Sequence, residues 1–144
     1  MAVVLLGKEA EYIGKASSGI YGWFTDSGIR DLYVDEDHGT HGRNRVTALR
    51  RATTKAGPAS AAAMLARELN RVSEESAHYW SAHEVGLTYN AEKRFAHPEV
   101  GRMDLFCQTL EDPAQHYSLL VFTAQPGSES ASKLALLAVI GAQS

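Results

Sequence analysis

One cysteine, Cys107, is the only thiol in the 144 residues, so no intramolecular disulfide and no multi-cysteine metal cage can form. Long apolar runs are missing as well. The longest, Leu134 to Ala142, falls far short of the roughly 20 residues a membrane span needs. No basic region precedes the short apolar stretch Val3-Val4-Leu5-Leu6, which is therefore not read as a signal peptide. There is no basic excess: 14 Lys and Arg stand against 17 Asp and Glu, a net charge of −3, whereas a nucleic-acid binder is normally basic on at least one face. Gly-x-Ser-x-Gly, Walker, zincin and dinucleotide-binding motifs are all absent, which leaves an enzyme as a minor alternative. What remains is 44 % hydrophobic and 22 % charged, an ordinary globular composition and the expected size of one domain spanning 1–144, cytoplasmic and without a membrane anchor.

The spacing of apolar residues predicts a helical first two-thirds and a strand-rich last third. Leu5 and Leu6 close a short helix, and a second carries Tyr21 and Phe24 on one side. Thr25 or Asp26 caps a further helical turn reaching Ile29 and Leu32. Residues 33–42 are polar and hold Gly39 and Gly42, which is loop chemistry or a poorly formed first turn. Val46, Leu49 and Ala52 recur at helical spacing up to Ala56, with Gly57 at the C′ position. Pro58 opens the next helix, whose face carries Ala62, Leu65, Ala66, Leu69 and Val72. Ser73 caps another with Ala77, Trp80 and Val85 inward. After Gly86 the period becomes two. Strands are predicted over 93–97, 102–110 and 117–124, the second alternating Met103, Leu105 and Cys107 with polar or exposed positions. The third is apolar on both faces and therefore central or covered. Ser128 caps a last helix with Leu134, Leu137, Ala138 and Ile140 in one stripe. Three strands leave two exposed edges, so a second copy of the chain is expected to extend or cover the sheet.

Three motifs carry a family resemblance. Ser76-Ala77-His78-Tyr79-Trp80-Ser81-Ala82-His83-Glu84-Val85 resembles the Trp-x-x-His-x-Val helix of the MmyB-like ligand-binding domain. Lys93-Arg94-Phe95-Ala96-His97-Pro98-Glu99-Val100-Gly101 is similar to its Arg/Lys-Phe-x-His-Pro-Glu-Val-Gly segment. Leu119 to Ser128 is close to its Leu-Val-Val-Tyr-Thr-Ala-x-Pro-Gly-Ser, and Trp23–Asp26 with Arg30–Tyr33 resembles the entry to its first long helix. The resemblance implies the sensory half of a bacterial transcription regulator. It implies an α+β, PAS-like fold: an antiparallel sheet with helices on one side, five-stranded in the family and three-stranded in what is visible here. It also implies a pocket for a small apolar ligand, a fatty acid, with no cofactor. The family's usual partner is a Cro/C1-type helix-turn-helix domain. None is present, and the chain is expected to begin after the family's first two strands, as a truncated or split regulator that does not bind DNA by itself.

The expected pocket lining is Trp23, Phe24, Trp80, Phe95, Met103, Leu105, Phe122 and Tyr117, since an acyl chain needs flexible or aromatic apolar walls. A carboxylate head needs a cation or donors, for which His83 and Arg94 stand inside the motifs. Arg94 alternates with Phe95, so the two face opposite sides of a regular strand. Asp35, Asp37, His38 and His41 have metal-ligand chemistry, but the intervening glycines argue for a solvated loop and no metal. Arg43, Arg45, Arg50, Arg51 and Lys55 spread around their helix and read as a solvated face, not a phosphate stripe. Cys107 lies in line with Leu105 and Met103 as a small buried hydrophobe. The alternative to a ligand sensor is a dimerisation or interaction module whose interior is filled by side chains. A small enzyme using Cys107 ranks below both.

Overall fold

A computed structural model describes residues 19–84, 91–112 and 117–141. Its contacts fall into two compact units, one helical (residues 19–31 and 35–84) and one built on a sheet (32–34 with 91–141).

The helical unit begins with α1 (Gly19–Thr25) and the short α2 (Ser27–Arg30). The Asp26 carboxylate accepts the Gly28 amide at 2.9 Å and so caps α2. That helix stops at Arg30, two residues short of the expected Leu32. A 3₁₀ turn (Asp35–Asp37) leads into α3 (His38–Ala56), so the stretch 33–42, expected as a loop or a poorly formed first turn, is regular helix from His38 onward. Gly57, at φ 87°, ends α3 in a conformation that favours glycine. Pro58 does not open the next helix. Ser60 does: its Oγ accepts the Ala63 amide, and α4 runs Ala61–Val72. Ser73 repeats the device for α5 (Glu74–Ala82), accepting from Ser76, with Glu74 and Glu75 favourably placed against the helix dipole. Leu49, Ala66 and Leu69 form the apolar core here, with Ile20, Phe24, Leu65 and Trp80 packed on it. Val72, expected on that face, is largely exposed, and Ser76 is the buried residue of α5. Val85 and the helix expected around Leu5 lie outside the described residues.

The sheet unit holds β1 (Glu92–His97), β2 (Gly101–Asp112) and β3 (Tyr117–Thr123), antiparallel in the order β1-β2-β3. Among the described residues β2 is the central strand and β3 pairs with β2 alone, so of the two alternatives expected for β3, central or covered, it is not central. The register is staggered. β1 pairs with residues 101–106 of β2, and β3 with residues 106–112. The side of β2 that β3 does not reach is served by α6 (Glu129–Gly141). Ser130 Oγ accepts the Asp104 amide at 3.0 Å, and Lys133 donates to the Arg102 carbonyl at 2.9 Å. The outer edge of β1, expected to be bare, is met by backbone: Ala96 donates to the Leu32 carbonyl and Val34 to the Arg94 carbonyl. These bonds satisfy groups that would otherwise offer a template for a foreign strand. Phe95, Met103, Leu105 and Leu137, each at most 1 % exposed, form the second core. Each is worth about 1.5–3 kcal/mol of burial. The described residues thus form an α+β fold.

Candidate functional site

Of the eight candidate lining residues, three (Trp23, Phe24 and Trp80) belong to the helical unit and five (Phe95, Met103, Leu105, Tyr117 and Phe122) to the sheet unit. In the sheet unit the strand pleat brings Phe95, Met103, Leu105 and Phe122 together. Phe95 pairs with Met103, Lys93 with Leu105, and Cys107 with Phe122, and directly paired residues share a face. Phe95 meets Phe122 edge-on at 5.2 Å between ring centroids, and Tyr33 lies 4.7 Å from Phe95 on the same cluster. Leu137, Leu134 and Ile140 of α6 pack onto this face. The opposite face carries Phe106 and Leu110, both about half exposed. Tyr117's side chain lies outside the described residues.

In the helical unit Phe24 and Trp80 converge on Leu69, whereas Trp23 turns the other way. Trp23 is fully buried among cations and imidazoles. The Arg45 guanidinium lies 4.1 Å from its ring centroid and that of Arg30 5.2 Å, with His38 and His41 edge-on at 5.6 and 5.5 Å. Arg30 also donates to the Trp23 carbonyl at 2.9 Å and pairs with Glu75. Arg50 stacks 4.4 Å from the Trp80 centroid and donates to the Trp80 carbonyl. Arg43 lies over Tyr79 and pairs with Glu84. Three of the five basic residues expected on a solvated face are therefore held against aromatic rings, while Arg51 and Lys55 are exposed. Rotamer choice towards rings on other helices decides this, and helical spacing alone does not reveal it.

Of the two expected head-group cations, His83 belongs to the helical unit and Arg94 to the sheet unit. His83 ends α5 in the left-handed region (φ 49°), exposed, its Nδ1–H donating to the Ser81 carbonyl at 2.7 Å. Arg94 alternates with Phe95 and so lies on the opposite face of β1. The polar groups on the face of Phe95 are Lys93 and His97, both more than nine-tenths buried. Sequence reasoning passed over both, although the alternation that buries Phe95 also selects positions 93 and 97. Among the described residues no group of three or more His, Cys, Asp or Glu could hold a metal ion, and Asp35 is 97 % exposed. His38 instead donates from Nε2 to the Arg30 carbonyl.

The family comparison decides the identity, matching the model for the MmyB-like transcription regulator ligand-binding domain over residues 1–137. The chain belongs to this family. As an MmyB-like ligand-binding domain it is a sensory regulatory domain, and its family is not an enzyme family. No curated protein and no solved structure matches the chain. No described helix of this MmyB-like domain is long and apolar enough to cross a membrane.

Proposed function

We propose that this MmyB-like domain binds a long-chain apolar molecule with one polar end, a fatty acid or its close chemical kin, and is not itself an enzyme. The observation carrying this is the shared face of Phe95, Met103, Leu105 and Phe122, supported by Phe24 and Trp80 converging in the helical unit. Buried on such walls, each methylene of an acyl chain gains about 0.8 kcal/mol. A sugar or nucleotide would instead lose its hydration, at about 1–3 kcal/mol for each unpaired group. The buried thiol of Cys107 supports a packing role for that residue. The aromatic engagement of Arg43, Arg45 and Arg50 supports the absence of a DNA-binding face on this chain. Native mass spectrometry of the purified protein, with thermal-shift titration against fatty acids, nucleotides and sugars, tests the reading. Co-purified lipid and stabilisation by fatty acids are expected. Stabilisation by a nucleotide or sugar with none by fatty acids would overturn it.

A second reading, an interaction module that pairs copies of the chain, is favoured by one observation. Leu136 and Val139 on α6, and Phe106 and Leu110 on β2, are all exposed apolar side chains of the sheet unit. The same native mass spectrum reads it: a ligand-free dimer supports this reading over the first.

A further inference from the structure

We propose that the Nε2–H of His97 anchors the polar end of the ligand, and that it selects a head group able to accept a hydrogen bond. This rests on the acyl-ligand reading above and names the group that would give it specificity. His97 is 7 % exposed and alternates with Phe95, so its ring lies on the apolar face of β1. The Glu99 amide donates to Nδ1 at 3.2 Å across the Pro98–Val100 turn. A nitrogen that accepts cannot carry the proton, so the neutral ring holds its proton on Nε2. Nε2–H has no hydrogen-bond partner among the described residues. The backbone turn thereby sets the tautomer and presents a single donor beside an apolar surface. Directly opposite on β2 stands Gly101, which contributes no side chain, and a Cβ there would meet nothing within 4 Å. The strand opposite His97 is therefore open at Gly101, and Phe95 and Met103 are the next pair along on the same face. A carboxylate or ester carbonyl accepts from Nε2–H. An alkylammonium of the same chain length has only donors and is refused.

The test uses the full chain with laurate and dodecylammonium as chain-matched probes, read by calorimetric titration. His97→Asn keeps an oxygen that can accept the Glu99 amide, as an Asx turn does, but loses the distal donor. Wild type should bind laurate in preference to dodecylammonium. H97N should keep its melting temperature and lose about tenfold in laurate affinity, the worth of one charge-assisted hydrogen bond. Unchanged laurate affinity in H97N would overturn the anchor and leave the acyl-ligand reading standing. If wild type binds neither laurate nor any longer fatty acid, the acyl-ligand reading fails and the anchor with it. Should H97N not fold, imidazole ¹⁵N spectra of the wild type decide. Protonation on Nε2 and a laurate-dependent shift of that nitrogen are expected, and an unmoved His97 signal would overturn the proposal.

Discussion

A Cβ added to Gly42 would lie 2.8 Å from Cε2 of Tyr79, inside any tolerable contact between carbon atoms. Helix α5 approaches α3 this closely because position 42 has no side chain. Gly22 is the instructive contrast. Its Cβ would lie 2.5 Å from the terminal methyl of Ile29, the free end of a flexible side chain that can turn aside. Alanine should gain about 1 kcal/mol over glycine in either helix from backbone entropy alone. At Gly42 the displaced Tyr79 ring costs about 1–3 kcal/mol. Gly42→Ala should therefore destabilise the domain, while Gly22→Ala should be neutral or stabilising. Urea denaturation midpoints of the two variants check the opposite signs.

Burial along β2 makes a second prediction. Leu105 is fully buried against Phe95 and Met103, whereas its neighbour Phe106 is 46 % exposed on the other face. Leu105→Ala should cost about 2–5 kcal/mol through lost transfer and an unfilled cavity. Phe106→Ala should cost far less, although it removes more atoms. Equal losses in chemical denaturation would refute the assignment of faces.

Tyr79 should give the domain an alkaline sensitivity. Burial first, then the neighbouring Glu75 carboxylate, push its hydroxyl above the usual tyrosine range, while Arg43 and Arg30 act in the opposite sense. The folded state thus favours the neutral phenol more than the unfolded chain does. This contribution is complete below the unfolded value of about 10 and is lost as pH rises through the folded one. Stability should fall as pH rises above about 10, and Tyr79→Phe should flatten that part of the slope.

The junction of α6 with β2 is open to a direct check. Ser130→Ala removes the acceptor of the Asp104 amide and should cost about 0.5–1.5 kcal/mol. The sharper readout is amide hydrogen exchange, which should accelerate at Asp104 and remain unchanged at Leu105, whose residue pairs with Lys93 of β1.

Much of this architecture is legible in local chemistry. Asp26, Ser73 and Ser128 cap where their short oxygens and position before apolar periodicity say they should, and Gly57 ends its helix for want of a Cβ. The alternation of Met103, Leu105 and Cys107 settles which face of β2 is buried, because a strand offers only two faces. The motifs around Trp80, Phe95 and Phe122 identify the family, and the match over 1–137 agrees.

Other features belong to tertiary structure. Gly39 and Gly42 read as a loop because propensity disfavours glycine in a helix; close packing under Tyr79 outweighs that local cost. Arg43, Arg45 and Arg50 read as solvated because a helical wheel cannot show which rings stand on neighbouring helices. Trp23 and Phe24, adjacent in sequence, part company: one enters a cage of cations and the other an apolar core. The β1 edge is met by Leu32 and Val34, some sixty residues upstream, a pairing that no local pattern encodes. The sequence by itself determined the elements, their inward faces and the family, because caps and periodicity act within a few residues. Only the tertiary structure decided which side chains meet, because those contacts depend on the register and crossing of segments far apart in the chain.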